Sequence, residues 1–269
     1  MNELGKIKYF LLDMDGTIYL GDRLFPGTLP FLAKLKAQGK GAFYLTNNSS
    51  KSVSAYVEKL AAMGIEADSS SFFTSAQALA YKLNQVSPGC KIFLLGTPSM
   101  EEYMESQGFS LVKDYETDPG LRPEYVVLAF DTTLTYQKLT DACHYICEGV
   151  SYWATHPDIV CPFTEDFSIP DAGAMMECIK AATGGKVPEF IAGKPYPYMI
   201  NMFMDEYGAS PEEVAVVGDR LYTDIRSGIN AGVTSICLLS GETSAEDIEA
   251  SDFKPDYVLK DIQELCDCI

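Results

Sequence analysis

Short apolar runs alternate along the chain with longer stretches in which apolar positions recur every three to four residues. This alternation predicts an α/β protein built on a mostly parallel, doubly wound Rossmann-like sheet. Residues 7–12 read as a continuous apolar strand buried on both faces. Residues 28–38 read as a helix with Leu29, Leu32 and Ala33 on one face and Gly39 at its stop. A strand at 42–45 follows, and Val53, Tyr56, Val57 and Leu60 mark a helix that ends at Gly64. The same grammar returns near the other end, with strands at 214–217 and 234–239 around a helix at 224–231. Between these flanks, strands are predicted at 91–95 and 125–130 and helices at 137–147 and 172–182. Either one sheet runs through the middle or a second domain is inserted into the first. Insertion is expected, because it ties the chemistry of both flanks to one site. The expected division is a core of 1–82 plus 188–269 and an inserted α/β domain of 83–187.

Charge narrows the choice of partner. The 269 residues carry 20 Lys+Arg against 38 Asp+Glu, a formal net charge of −18. Such a surface repels nucleic acid and anionic lipid, so neither nucleic acid nor a membrane is expected as a partner. It also repels phosphorylated substrates at long range, so a phosphate site must be built locally from a metal ion, a lysine and backbone N–H groups. No apolar run approaches the ~18 residues of a membrane span. The N-terminal segment reads as a buried strand and not as a signal peptide, since no small-residue cleavage site follows it. Eight cysteines without a secretory signal read as free thiols in a reducing cytoplasm, the expected location. With only His144 and His156 available, and cysteines not in knuckle spacing, a zinc enzyme is not expected.

Four segments carry candidate chemistry. Asp13-Met14-Asp15-Gly16-Thr17 follows the first strand, at the sheet edge where α/β proteins bind ligands. Alternation points Asp13 and Asp15 the same way. At ~4 Å and an effective dielectric of about 20 their repulsion is ~4 kcal/mol, which a cation or shared proton relieves. A plain turn is the alternative; a calcium loop fails, because its twelfth position is Leu24 and not Glu. Thr46-Asn47-Asn48-Ser49 follows another strand and reads either as a phosphate cradle or as an ordinary helix cap. Lys194, between Gly193 and Pro195, reads as a fixed cation or as a solvated surface group. Asp219 follows a buried strand as Asp13 does, and Asp224 is expected at a helix start, where a dipole partner is the plainer reading. Together they offer three hard carboxylate ligands suited to Mg²⁺, a nucleophile, an acid and two phosphate anchors.

The order D-x-D-G-T, T-N-N-S, G-K-P and G-D-R-x-x-T-D resembles the haloacid dehalogenase superfamily of aspartate-nucleophile phosphatases. More narrowly it is similar to the branch of NagD-type and 4-nitrophenyl phosphatases with an α/β cap. The resemblance implies that Asp13 is the nucleophile and a Mg²⁺ ligand. Asp15 would be the general acid and then the base, with its backbone carbonyl on the metal. Thr46 and the backbone at Asn47 would bind the phosphoryl group, with Lys194 as the cation. Asp219 would ligate Mg²⁺, and Asp224 would support the metal from behind the direct ligands. Asp15, which the dehalogenases lack, favours phosphate transfer over halide displacement.

The resemblance implies that the middle segment is the cap that chooses the substrate, with a homo-oligomer through the cap as a further expectation. Asp131 and the loop Thr155-His156-Pro157-Asp158 read as a turn residue and a Pro-anchored loop, with substrate contact as the alternative. His144 reads as a helix-face residue and Trp153 as core. Asp171 stands where relatives are Gly-rich, so no relative's substrate is carried over. The expected activity is Mg²⁺-dependent hydrolysis of small phosphomonoesters, of the nucleotide or sugar phosphate type. A non-catalytic sensor of phosphorylated metabolites and a phosphotransferase are the alternatives.

Overall fold

The computed structural model describes residues 3–164 and 167–269. The first strand, β1 (Tyr9–Leu12), is apolar at every position and buried from Phe10 to Leu12. It begins two residues later than the sequence suggests, because Glu3–Lys6 coil into a 3₁₀ turn that Ile7 closes by donating its N–H to the Leu4 carbonyl at 3.3 Å. After it come the hairpin β2 (Tyr19–Leu20) and β3 (Arg23–Leu24), α1 (Thr28–Ala37), β4 (Gly41–Thr46), α2 (Val53–Ala62) and β5 (Phe72–Thr74).

The middle of the chain forms α3 (Ser75–Val86), β6 (Lys91–Leu95), α4 (Pro98–Ser106), β7 (Ser110–Val112), β8 (Tyr125–Leu128) and α5 (Tyr136–Cys147). It continues through β9 (Ser151–Ala154), the hairpin β10 (Val160–Thr164) and β11 (Phe167–Pro170), α6 (Ala172–Ala182) and β12 (Phe190–Ile191). The last part runs through α7 (Tyr198–Tyr207), β13 (Val214–Gly218), α8 (Arg226–Ala231), β14 (Thr234–Leu238), α9 (Ala245–Ala250), β15 (Tyr257–Leu259) and α10 (Ile262–Cys268).

Two compact units result. The first comprises 1–46, 53–73 and 194–269; the second comprises 47–52 and 74–193. The chain therefore crosses between units directly after Thr46 and directly before Lys194. The element pattern alone put the seams at 82/83 and 187/188. Helical periodicity in α3 does not say which sheet it covers, and nothing local in 47–52 announces its partners. Those partners lie in the second unit: the Phe130 N–H donates to Ser49 Oγ at 2.9 Å, and Thr97 Oγ1 donates to the Ser50 carbonyl at 3.1 Å.

The first unit holds a six-stranded sheet in the order β15-β14-β13-β1-β4-β5, parallel at each pairing from β15 to β4. Tyr9 stands opposite both Val214 and Gly41, so β1 is hydrogen-bonded on both edges and its carboxyl end abuts those of β13 and β4. Alternation sends Phe10 and Leu12 to one face, where Phe31 meets Phe10 edge-on at 5.5 Å, and Tyr9 to the other, among Phe43, Phe203 and Tyr207. Each such buried side chain contributes about 1.5–3 kcal/mol, which is why the strand that carries Asp13 is rigid.

The second unit has its own five-stranded parallel sheet, β12-β9-β8-β6-β7. Its core gathers Phe93, Leu95, Val126, Leu128, Tyr145 and Ile179. Trp153 is a core residue, as expected, with Tyr125 and Phe190 at 5.0 and 4.6 Å between ring centres. All eight cysteines are free thiols. Among the described residues no helix is long and apolar enough to cross a membrane.

Candidate active site

The carboxyl ends of β1, β4 and β13 carry Asp13, Thr46 and, one residue past the strand, Asp219. The Asp13 N–H donates to the Val217 carbonyl at 2.8 Å, which continues the β1–β13 ladder one residue further and fixes where the carboxylate starts. Carboxylate oxygens of Asp13, Asp219 and Asp224 all lie within 4.8 Å of one another. Three negative groups that close together, in a half-dry site, demand a counter-charge.

Lys194 supplies part of it. Its Nζ donates to Asp13 Oδ1 at 2.5 Å, lies 2.6 Å from Asp224 Oδ1, and is 3.4 Å from the Leu45 carbonyl at the end of β4. The residue is 4 % exposed, so it is no solvated surface lysine. Burial alone would favour the neutral amine, but the Asp13 and Asp224 carboxylates outweigh it and push the Lys194 pKa upward. Asp13 is held well above the ordinary carboxylate range by burial and by Asp224, against the opposing pull of Lys194. Asp219 is pushed up to about 6, again by burial and then by Asp224. One lysine does not neutralise three carboxylates. The remaining negative charge and the all-oxygen donor set of Asp13, Asp219 and Asp224 fit a hard divalent cation.

Asp219 is 2 % exposed and tightly held. Thr17 Oγ1 donates to its Oδ1 at 3.2 Å, and the Glu242 N–H donates to its Oδ2 at 2.8 Å. Gly16 makes room for this carboxylate: its φ is +90°, and a Cβ there would stand 2.3 Å from Asp219 Oδ2. The glycine of D-x-D-G-T is thus required by a residue two hundred positions away.

Asp224 stands near a helix start, as expected. It lies inside a single π-helical turn, Leu221–Ile225, that precedes α8, and its N–H donates to the Arg220 carbonyl at 3.1 Å. An acidic group in this first turn also suits the helix dipole. Single π turns widen a helix locally, and this one aims the carboxylate back at Lys194. The Arg220 N–H donates to the other oxygen, Oδ2, at 3.1 Å.

Asp15 is the exposed member, with 58 % of its side chain open to solvent. Tyr19 Oη donates to Asp15 Oδ2 at 3.3 Å, and Lys59 Nζ on α2 lies 4.0 Å from Oδ1. Thr46 is buried at the end of β4. The structure therefore brings together Asp13, Lys194, Asp219 and Asp224, with Asp15 and Thr46 on the adjoining strand ends. Sequence reasoning missed Thr17, Tyr19 and Lys59. Thr17 lay within a motif already singled out, whereas no local signal marks Lys59 in its amphipathic helix.

Asn47 belongs to the second unit, where Ser75 Oγ donates to its carbonyl at 2.5 Å and its Nδ2 donates to both Asp158 oxygens at 3.1 Å. His156 Nε2 shares a 2.8 Å hydrogen bond with Asp171 Oδ1, and its Nδ1 shares one of 2.9 Å with Thr155 Oγ1. His156, Asp158 and Asp171 come close enough to hold a metal. Their polar atoms are already hydrogen-bonded to protein, which makes a structural lock the simpler account. Asp171 also caps α6 through the Ala172 N–H at 2.6 Å. Asp131 is buried, accepts from Thr133 at the turn and pairs with Lys138 at 2.8 Å.

Comparison with known proteins agrees with this geometry. Residues 10–110 match the family model described as haloacid dehalogenase-like hydrolase, and residues 191–265 match a HAD-hydrolase-like model. The chain is 34 % identical over 257 residues to an acid sugar phosphatase of Staphylococcus aureus, covering 96 % of each. The crystal structure of a 4-nitrophenylphosphatase from Thermotoga maritima superposes with a TM-score of 0.92 at 44 % identity, covering 99 % of each chain. A glycerol phosphate phosphatase from Mycobacterium tuberculosis, solved in complex with magnesium, gives 0.89 at 29 % identity, covering 98 % of this chain and 78 % of that one.

Proposed function

From the chain's membership of the haloacid dehalogenase-like hydrolases, in the branch of NagD-type and 4-nitrophenyl phosphatases, we propose that this phosphatase hydrolyses small phosphomonoesters through an aspartyl-phosphate on Asp13. The observation that carries the reading is the buried Lys194 ammonium set between Asp13 and Asp224 while Asp219 closes the carboxylate group. Mg²⁺ is the proposed ion, held by Asp13, Asp219 and the Asp15 backbone carbonyl with Asp224 behind them. When bound, it offsets the charge that builds on the phosphoryl oxygens.

In the first step an Asp13 carboxylate oxygen forms a bond to phosphorus as the ester P–O bond breaks. The electron pair goes to the leaving oxygen, which takes the proton of the Asp15 carboxyl and departs as an alcohol. In the second step Asp15, now a carboxylate, takes a proton from water. The water oxygen bonds to phosphorus, the acyl phosphate P–O bond breaks, and its electron pair returns to Asp13. The sum is ester plus water to alcohol plus phosphate. Lys194 holds Asp13 in place and opposes its protonation, and the Thr46 hydroxyl with the Thr46–Asn47 peptide N–H binds the transferring oxygens.

The names of the acid sugar phosphatase and glycerol phosphate phosphatase relatives support small sugar or polyol phosphates as the substrate class. The test is magnesium-dependent phosphate release from a panel of phosphorylated metabolites by the full chain. Release from none of them, with binding retained, would favour the sensor. Transfer of phosphate to an added alcohol in preference to water would make it a phosphotransferase.

A further inference from the structure

Asp15 must present its proton at hydrogen-bond distance from the leaving oxygen, yet it is a short, mostly exposed side chain on a turn. Left alone, such a carboxyl samples several rotamers. Two residues outside the sequence motifs restrain it. Tyr19 Oη donates to Oδ2 at 3.3 Å, and Lys59 Nζ lies 4.0 Å from Oδ1 and 4.0 Å above the Tyr19 ring. The three side chains form a closed triangle in which each pair interacts: hydrogen bond, ion pair and cation–π contact.

The base of the triangle is rigid. Tyr19 is fully buried in the core with Phe31, Tyr56 and Leu60. Its carbonyl accepts from the Gly16 N–H at 2.8 Å, and the Asp15 and Tyr19 backbones bridge directly. The turn that carries Asp15 is thus tied to Tyr19 by main chain as well as side chain. Burial and the neighbouring Asp15 push the Tyr19 phenol well above its ordinary pKa, so it stays a donor. Lys59 is anchored by α2, whose inner face buries Tyr56 and Leu60.

We infer that Tyr19 and Lys59 are positioning residues for Asp15, holding its carboxyl in the one rotamer from which it serves the leaving group. The inference rests on the proposed role of Asp15. It has a signature that general loss of structure lacks, because proton donation matters only when the leaving group needs a proton. 4-Nitrophenolate departs unaided; an alkoxide does not.

The experiment measures kcat/KM, which reports the steps up to loss of the alcohol, for the magnesium-loaded full chain. The probes are 4-nitrophenyl phosphate and the alkyl phosphate that the wild type hydrolyses best. Tyr19→Phe and Lys59→Met should each lose about tenfold or more on the alkyl ester and no more than about threefold on the aryl ester. Lys59→Arg, which keeps the cation, should recover most of the alkyl-ester activity. Equal losses on both esters, or none on either, would overturn the inference. Lys59 is only partly buried, so its variants keep the test open if Tyr19→Phe does not fold. Asp15→Asn, run in parallel, must show the same ester selectivity more strongly. If it does not, the proton-donor reading of Asp15 itself fails, an outcome separate from failure of the positioning pair.

Discussion

Lys194 Nζ and Asp13 Oδ1 lie 2.5 Å apart although 181 positions separate them in the chain. The lysine opens the last segment of the first unit, and the aspartate directly follows its first strand. This contact closes the site. Replacing Lys194 by Met should leave Asp13 and Asp224 buried without their cation, at a cost of about 3–5 kcal/mol. Chemical denaturation in EDTA measures it. Adding Asp13→Asn to that variant should return part of the loss; if it returns nothing, the charge pairing is not what stabilises this region.

Asp13→Asn in the wild-type background should lower phosphate release by at least about a thousandfold while leaving the fold intact, because the amide is a poor nucleophile. Steady-state assay with circular dichroism as the folding control tests this. Activity within tenfold of wild type would exclude Asp13 as the group that attacks phosphorus.

Gly16→Ala combines a positive φ with a collision on Asp219. It should cost about 1–3 kcal/mol and weaken magnesium binding. Gly21 also has positive φ, +60°, but nothing lies within 4 Å of the position its Cβ would take. Gly21→Ala should therefore show the backbone strain alone and leave magnesium affinity unchanged. Thermal melts and magnesium titrations of the two variants separate the effects; equal magnesium affinities would refute the role given to Gly16.

Magnesium should stabilise the protein more as pH rises. Burial and Asp224 push Asp219 up to about 6 in the folded protein, against about 3.9 when unfolded, and Asp13 is raised as well. Between those values the metal-free folded state binds more protons than the unfolded state. The stability these two groups contribute is therefore greatest below the unfolded pKa and falls as pH climbs through the folded one. A divalent cation competes with those protons, so its stabilising effect grows over the same window. Melting temperatures with EDTA and with magnesium, taken at pH about 5 and about 7, should show the larger magnesium shift at the higher pH. A larger shift at the lower pH would contradict it.

Much of this was legible before any coordinates. Continuous apolar strands ending in Asp13 and Asp219 followed from the burial of parallel sheets on both faces, and the four short motifs stood next to strand ends as the chemistry requires. Trp153 as core and free cysteines were readable from side-chain size and spacing. The hairpin of β10 and β11 went unseen because two short, largely exposed strands carry little hydrophobic pattern.

Local order thus came from the chain itself: which segments are strands and which carboxylates directly follow them. Tertiary structure alone decided that Asp224 sits in a π turn facing Lys194, that segment 47–52 belongs with the second unit, and that Tyr19 and Lys59 flank Asp15. The reason is one of range. Periodicity and turn chemistry act over a few neighbouring residues, whereas these arrangements depend on packing between segments that the sequence holds far apart and only the folded core brings within a few ångströms.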